Sequence, residues 1–486
     1  MRYSMLAHLV KMARTLQEAA AYVDAAPDGD PLCPELLSNG VKMLGQIRSV
    51  IGQHRDELYD PAVLKHLAAA EALWEEGGDA LQGALEAFAQ ALPKSVRYQV
   101  RAVFFTGLGS TWDAMQSVYE HMRDDPRFDP VVVLIPIVRQ IERDGKMIQD
   151  VIYEDYLTPM GIPFLEYSRY SLEDDCPDLA FTNQPYEGAT ITEFWPNIIA
   201  QSTRLVYLPY YLPDMVDKNT RRVLDAADIN RYAWKIVFPT QKQYRFHCRH
   251  AANGGANGLL TGLPKLDHLA RLPERGAALP KGWECLAGKR VFLWNTWYII
   301  PASAAQWFDE VVSWFEAHQD CALIWRPHPM TDTVTRLYHP KEYPGYLEHI
   351  QRIESMSNAV RDCDASCEAA FYYSNAMVSD YSSMQPQYLL MDKPTLWVRN
   401  NEYWRFTGEE FIESSWMEQT ETPDGILNFL EQIRRGEDNK AQLRKEIRAR
   451  DLPLADGRCG ERVCEALWKA LHDEDFPQAW PDGSSV

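Results

Sequence analysis

Apolar runs of strand length recur along the chain from about residue 100, and helical or irregular segments separate them. Such alternation predicts parallel sheets covered by helices, because a parallel strand pair needs a long crossover connection. The runs fall into two groups, which predicts an α/β protein with two Rossmann-like lobes. The predicted strands are 102–105, 131–135, 179–182, 205–208 and 234–238 in the first lobe, and 290–294, 321–325, 376–378 and 395–398 in the second.

The first 98 residues have a different pattern. Ala, Leu and Glu recur there at helical spacing, and Pro or Gly residues interrupt the pattern at 26–29 and 76–78. This predicts a helical accessory region. An alternative is that the first helix docks on a membrane or a partner, because Arg2, Lys11 and Arg14 are mixed with Leu, Met and Val. The predicted organisation is a helical region at 1–98, a first lobe at 99–275, a second lobe at 276–470 and a tail at 471–486.

The charge of the chain narrows the classes of partner. A formal net charge of −20 argues against general nucleic-acid binding, which needs clustered Lys and Arg to neutralise phosphates. It also weakens docking to anionic lipid through basic residues. No apolar run approaches the length of a membrane span. Nine scattered cysteines without a C-x-x-C pair predict reduced thiols, so we expect a cytoplasmic protein.

One candidate site follows the predicted strand 376–378. Ser379 and Asp380 come directly after the strand, and the hydroxyl pair Ser382 and Ser383 precedes a helical stretch. Ser382 or Ser383 is predicted to cap that helix, whose first amides and positive dipole end favour an anion. The same serines would also cap a helix without any functional role, so a second element is needed to support a site.

The second element follows the predicted strand 321–325. His328 stands between Pro327 and Pro329, which restrict the backbone on both sides and hold the imidazole in place. Arg326 can pair with phosphate oxygens. Ligands of open α/β sheets bind at the carboxyl ends of strands, so these two strand ends together predict an anion site in the second lobe.

These two motifs resemble the C-terminal lobe of the CDP-glycerol glycerophosphotransferase family, which builds polyol-phosphate polymers of the teichoic-acid type. Further segments are similar to family motifs over roughly residues 99–470, and 103–136 resembles the opening βαβ unit of Gram-negative members. The resemblance implies the GT-B architecture, with an acceptor-side first lobe, a CDP-donor-side second lobe and a final helix that returns to the first lobe. The other similar segments are 262–267 at the lobe junction, 291–296 at the start of the second lobe and 456–458 at its end.

The resemblance also implies the reaction and the roles of residues. An acceptor hydroxyl attacks the phosphorus that carries the polyol, and CMP leaves. His328 is expected to stabilise the phosphate, either as imidazolium or as a hydrogen-bond donor, and Asp380 to orient the turn or a ligand hydroxyl. No metal and no cofactor are expected, and the expected partners are a CDP-polyol donor and a glycan or lipid-linked acceptor. The expected donor-binding residues are Arg326, Ser379, Asp380, Ser382, Ser383, Gly262, Pro264 and Lys265.

The chain departs from the family in the first lobe. Teichoic-acid members carry there a histidine, in a Trp-His-Gly stretch, which acts as general base, whereas the comparable stretch 205–211 has none. Asp113, Tyr210 and Asp214 are candidate bases by position and type. The missing histidine keeps open a nucleotide-binding or scaffold relative without activity. A GT-B glycosyltransferase with a nucleotide-sugar donor is a second alternative, because it shares the fold and the strand-end anion site. Another group with metal-ligand residue types, His247 to His250, is interpreted as a helix end.

Overall fold

Two parallel sheets form the centre of the protein. The computed structural model describes residues 1–143, 146–216, 228–298, 302–399 and 409–476, and for 139–148 its description is limited to the backbone. Each sheet is covered by helices, as the alternation of apolar runs and crossover connections predicts. The strands are β1 Val100–Thr106, β2 Phe128–Leu134, β3 Ile137–Arg143, β4 Lys146–Ile152, β5 Leu165–Glu166, β6 Leu179–Thr182, β7 Arg204–Tyr207, β8 Lys235–Phe238, β9 Gly258–Leu260, β10 Arg290–Thr296, β11 Cys321–Pro327, β12 Ala359–Arg361, β13 Ala376–Ser379, β14 Thr395–Val398 and β15 Glu418–Thr420.

The first sheet has the order β5-β2-β1-β6-β7-β8-β9, and all its strand pairs are parallel. The second sheet has the order β12-β11-β10-β13-β14-β15 and is also parallel throughout. In both lobes the direction of winding reverses beside the first strand, between β1 and β6 and between β10 and β13. A crevice opens at such a reversal, so these strand ends are the places where the fold favours a ligand. The hairpin β3–β4 is antiparallel and lies outside both sheets.

Helices fill the connections and the N-terminal region. The helix α5 follows β1 directly and carries the candidate base Asp113. The first helices are α1 Tyr3–Ala25, α2 Cys33–Gln53, α3 Val63–Leu73, α4 Gly78–Ser95 and α5 Gly109–Asp124; the later ones are Leu172–Asp175, Pro196–Ser202, Ile229–Tyr232, Gln241–His250, Leu266–Arg275, Ser303–Ala317, Thr331–Tyr338, Tyr343–Ser355, Glu368–Tyr373, Met384–Tyr388, Pro423–Arg434, Ala441–Asp451 and Cys459–Asp475.

The N-terminal helices share one hydrophobic core with the first sheet. Buried side chains of α1 and α4, such as Leu6 and Phe88, belong to the same cluster as Phe104 of β1. The amide of Tyr3 donates to the carbonyl of Gln99 at 2.9 Å, at the entrance to β1. The helical region is therefore packed onto the first lobe as an integral part of the protein.

The C-terminal helix Cys459–Asp475 returns to the first lobe, as the resemblance implies. Val463 and Leu467 are buried in the core that contains α5 and the first sheet. Asp267 accepts hydrogen bonds from the amides of Cys459 and Gly460 at 2.8 and 2.7 Å, which satisfies two orphan donors at the start of the helix.

The apolar pattern predicted the principal strands of both sheets. The predicted strands 179–182 and 395–398 have the same bounds as β6 and β14, and the others agree with the observed strands to within a few residues. The pattern did not predict the hairpin β3–β4 or the short strands β5, β9, β12 and β15. The last three of these have only three residues each and too little apolar surface to be recognised.

Candidate functional site

The ends of β10, β11 and β13 form the centre of the candidate site. Asn295 lies opposite Arg326 on one side and Ser379 on the other, so the three strands end at one level. The Asn295 amide donates to the Ser379 hydroxyl at 2.9 Å, and that hydroxyl donates to the carbonyl of Asp380 at 2.6 Å. Ser379 is fully buried, and both contacts of its hydroxyl lie within the protein, so the hydroxyl supports the turn. The donor-binding role that the resemblance implies for Ser379 stays a prediction.

His328 is held as a neutral imidazole. Its amide donates to the carbonyl of Thr296 at 2.9 Å, and its Nδ1 accepts a hydrogen bond from the Met330 amide at 3.1 Å. An Nδ1 that accepts cannot carry a proton, so the proton resides on Nε2. Burial, together with the charge of Arg326, lowers the pKa of His328 to about 4. Of the two states expected from the sequence, the structure favours the neutral donor.

Asp380 binds the residue that follows β10 and the first residue of the next helix. Its carboxylate accepts hydrogen bonds from the amide of Trp297 at 2.9 Å and from the amide of Ser303 at 3.1 and 3.2 Å. The side chain is 2% exposed, and burial raises its pKa to about 6 although both amides oppose the shift. Asp380 therefore positions Trp297 and Ser303, and the ring of Tyr298 packs 4.5 Å from the His328 ring. The roles expected for it, to orient its own turn or a ligand hydroxyl, stay predictions.

Arg326 is engaged within the second lobe. Its guanidinium forms a salt bridge with Asp362, which is 3% exposed, and donates to the carbonyl of Asp364 at 2.7 Å. Asp362 follows β12, a strand that the sequence did not predict, so this partner was missed. The salt bridge satisfies much of the charge that was expected to bind phosphate, and it fixes the strand end next to His328.

The serine turn differs in detail from the prediction. Ser382 accepts a hydrogen bond from the Met384 amide at 3.2 Å, so of the two candidates it is Ser382 that binds a first-turn amide. Ser383 is exposed, and its side chain caps no amide of the helix Met384–Tyr388. The exposed Ser383 and the half-buried Ser382 are thus the polar side chains that this turn presents near the surface.

The lobe-junction motif joins the two lobes. Gly262 has φ +81°, and a Cβ there would lie 2.7 Å from Cys459 Sγ, so only glycine fits this crossing. The buried Pro264 accepts a hydrogen bond at its carbonyl from the Ser117 hydroxyl of α5 at 3.3 Å. Lys265, which is 8% exposed, forms a salt bridge with Asp113 of α5. Lys265, a predicted donor-binding residue, therefore contacts Asp113, a predicted catalytic residue.

Charged residues of both lobes influence the pKa of one thiol. Burial raises the pKa of the Cys367 thiol to about 11, and the charges of Arg326, Lys265 and Asp113 act on the same thiol. The hydrogen bonds of Asp113 are uneven between its two oxygens. Its Oδ2 binds Lys265, whereas its Oδ1 is buried without a hydrogen-bond partner among the described residues.

Tyr210 also lies in the cleft but is unsuited to act as a base. Burial is the main cause that raises its pKa far above the usual value, and the hydroxyls of Tyr186 and Tyr298 add to the shift. A phenol that stays protonated donates a hydrogen bond and does not remove a proton. Asp214, the third candidate, accepts a hydrogen bond from the Tyr381 hydroxyl at 3.3 Å across the cleft.

Two groups with metal-ligand residue types lie away from the strand ends. His247 is 1% exposed and bonds Asn257 at 2.9 Å, in agreement with the interpretation of 247–250 as a helix end. His121, Asp125 and Glu465 place one potential ligand atom each within 4.8 Å of the others. The guanidinium of Arg127 forms salt bridges with both carboxylates of that group, Asp125 and Glu465, and so neutralises the charge that a metal ion would need.

Two parallel lobes with facing strand ends, a fixed histidine and a C-terminal helix that returns to the first lobe define a GT-B enzyme. The profile described as CDP-Glycerol:Poly(glycerophosphate) glycerophosphotransferase matches residues 215–469. The chain belongs to this family of CDP-glycerol glycerophosphotransferase enzymes. The match contains both second-lobe motifs and the lobe junction. No curated protein sequence matches the chain.

Among the described residues, no helix is both long and apolar enough to cross a membrane.

Solved structures share the fold at low sequence identity. A putative UDP-N-acetylglucosamine 2-epimerase from Listeria monocytogenes has a TM-score of 0.55 and 13% identity, covering 77% of this chain and 97% of its own. The wall teichoic acid polymerase TagF has a TM-score of 0.50 and 11% identity, covering 86% and 99%. A UDP-GlcNAc 2-epimerase from Neisseria meningitidis, bound to UDP-GlcNAc, has a TM-score of 0.50 and 11% identity, covering 76% and 100%. These similarities support the architecture.

Proposed function

We propose that the protein transfers a glycerol-phosphate or ribitol-phosphate unit from a CDP-polyol to an acceptor hydroxyl in surface polymer synthesis. The observation that carries the proposal is the neutral imidazole of His328, fixed by Met330 and Thr296 at the end of β11. A rigid N–H donor at a strand end is suited to stabilise charge on a phosphate oxygen, because it needs no reorganisation during the reaction. The family match supports CDP-glycerol as the donor.

The proposed reaction is an in-line displacement at phosphorus. The acceptor oxygen forms a bond to the phosphorus that carries the polyol, and the bond from that phosphorus to the bridging oxygen breaks. CMP departs with the electron pair of that bond, and the hydroxyl proton passes to a base. His328 donates from Nε2 to a phosphate oxygen. Ser382 and Ser383 add neutral donors, whereas Arg326 acts mainly through its salt bridge with Asp362.

Asp113 is the best-supported base in the first lobe. Lys265 holds its Oδ2 in a salt bridge, and the side chain of Asp113 is 42% exposed, so an acceptor hydroxyl can approach the carboxylate. In protein kinases, an aspartate accepts the substrate hydroxyl proton in the same way.

The proposal includes no metal and no cofactor, and it places the reaction in the cytoplasm. All nine cysteines are unpaired, which supports a reducing compartment. A lipid-linked acceptor would bring the protein to the inner face of the membrane as a peripheral protein.

Ligand-dependent thermal melting tests the donor. We expect CDP-glycerol and CMP to raise the melting temperature, and UDP-N-acetylglucosamine to leave it unchanged. Release of CMP from CDP-glycerol then tests turnover, with His328→Ala as the inactive variant and the exposed His8→Ala as the matched control. A preference for UDP-sugars would replace the proposal by a nucleotide-sugar transferase. Stabilisation without CMP release, with any acceptor, would indicate a nucleotide-binding protein.

A further inference from the structure

Two helices that belong to different hydrophobic cores face each other where the lobes join. The helix α5 buries Met115 in the core of the first sheet. The helix Leu266–Arg275 begins directly after the lobe-junction motif, and we call it the junction helix. It buries Leu269 in the core of the second sheet, and it packs against α5. The contact between these helices is therefore a contact between the two lobes.

Polar side chains at helical spacing form this contact. The residues that α5 contributes stand three or four positions apart, so they lie on one face of the helix. The contacts are those of Asp113 with Lys265, of Ser117 with the carbonyl of Pro264 and of Glu120 with His268. Among these groups, the imidazole of His268 is the one whose ordinary pKa lies near neutral pH.

The carboxylate of Glu120 is held in place to meet His268. The Gln116 amide donates to Oε1 of Glu120 at 2.8 Å, and Nε2 of His268 lies 3.2 Å from Oε2. Nε2 makes no aligned hydrogen bond among the described residues, so charge is what attracts the two groups. Glu120 raises the pKa of the His268 imidazole above its usual 6.5, and burial acts against this shift. The attraction therefore exists while the imidazole is protonated.

Charges on the neighbouring elements act on the same imidazole. From the second lobe, Glu368 adds to the effect of Glu120 and also favours the protonated form of His268. Arg275 of the junction helix acts in the opposite direction, but its guanidinium forms a salt bridge with Glu368. On α5, Arg123 is paired with its neighbour in sequence. The protonated imidazole thus has carboxylates of both lobes around it.

The other elements that pack on the junction helix change this balance little. The segment Leu389–Met391 has no charged side chain. The C-terminal helix also packs there, and the charged residues of its first turn are engaged locally, Glu461 with Arg458 and Arg462 with Asp456. Glu120 remains the charged group in direct contact with His268.

We infer that His268 is a pH-sensitive contact between the lobes, in which the protonated imidazole binds Glu120 and holds α5 against the junction helix, and loss of the proton weakens the contact. The inference does not depend on the donor or the acceptor. Since the folded-state pKa is raised, the contact is complete below pH 6.5 and is lost as the pH rises through the raised pKa. The side chains of His268 and Glu120 are 27% and 35% exposed, so the effect is moderate.

Hydrogen exchange followed by mass spectrometry tests the inference on the full chain. Between pH 6 and 9, we expect the protection of the junction helix to fall about three- to fivefold, after correction for the intrinsic pH dependence of amide exchange. His268→Gln should be weakly protected at both pH values. His268→Lys keeps a cation at pH 9 and should stay protected at both. The same pH dependence in the parent and in both variants would overturn the inference.

Matched variants separate His268 from other groups that titrate in this range. Lys393 binds the carbonyl of Tyr372, and burial lowers its pKa to about 8, so the parent is compared with each variant at the same pH. His8→Gln changes an exposed histidine of α1 and should keep the pH dependence of the parent. Glu120→Gln removes the same pair from the other side, which keeps the test open if His268→Gln does not fold. Protection that still falls with pH in Glu120→Gln as in the parent would also contradict the inference.

Discussion

The backbone amide of Met330 donates a hydrogen bond to Nδ1 of His328 at 3.1 Å, and this contact determines which proton the imidazole can offer. The only remaining proton lies on Nε2, so the residue acts as a neutral donor. Glutamine can offer a similar N–H at a similar distance. We therefore expect His328→Ala to lower kcat by about 10²- to 10³-fold and His328→Gln to lower it by only about tenfold.

The pH profile checks the same conclusion. The pKa of His328 is lowered to about 4, so its titration should not affect the rate near pH 6.5. We therefore expect the pH profiles of kcat/KM for the parent and for His328→Gln to have the same shape near that pH. An imidazolium mechanism would be supported by two results together: a rate that rises as the pH falls toward 4, and a glutamine variant as inactive as the alanine variant.

Asp380 should make stability depend on pH in a defined direction. Burial raises its folded pKa to about 6 from 3.8, so the folded state binds the proton more tightly than the unfolded state. The stabilisation from this proton is complete below about pH 4 and is lost as the pH rises through 6. Relative to Asp380→Asn, which does not titrate, the parent should lose roughly 2–3 kcal/mol of unfolding free energy between pH 4 and 7.

Urea unfolding at several pH values measures this difference. Asp309→Asn is a suitable control, because Asp309 is exposed and lies on the helix Ser303–Ala317 that starts at the same loop. An equal pH dependence for the parent and Asp380→Asn would contradict the prediction.

The salt bridge between Lys265 and Asp113 should couple the two residues energetically. One partner is largely buried and the other is 42% exposed, so we expect a coupling of only about 1 kcal/mol in a double-mutant cycle of Lys265→Met and Asp113→Asn. Both single variants should lose activity, since one removes the proposed base and the other removes the salt bridge that holds this base in position. Additive stability effects would show that the pair is not formed in solution.

The C-terminal helix should tolerate no side chain at Gly460. A Cβ there would lie 2.7 Å from backbone and side-chain atoms of Ser117 on α5, so Gly460→Ala should cost about 1–3 kcal/mol. Gly83→Ala in α4 has open space around the new methyl group and should be neutral or stabilising by up to about 1 kcal/mol.

Asp267→Ala removes the carboxylate that binds the first amides of the C-terminal helix and should cost about 1–2 kcal/mol of unfolding free energy. Thermal and urea unfolding compare the three variants with the parent.

Local sequence patterns predicted the features that depend on neighbouring residues. The strand ends at Ser379 and His328 were found because an apolar run, a turn and capping residues stand within a few positions of one another. The contact between Lys265 and Asp113 spans 152 positions and depends on how the lobes pack, so no local pattern contains it. The burial that raises the pKa of Tyr210 also depends on tertiary packing, so no local pattern predicts it.

The two crossings between the lobes run side by side, since Gly262 of the first would contact Cys459 of the second if it carried a Cβ. A pair of adjacent strands of chain acts as a hinge and permits rotation about one axis far more easily than sliding. Met215 and Glu410 form an isolated antiparallel β-bridge between segments of the two lobes. We expect the lobes to open by rotation about the paired crossings, with this bridge as a contact that breaks and re-forms.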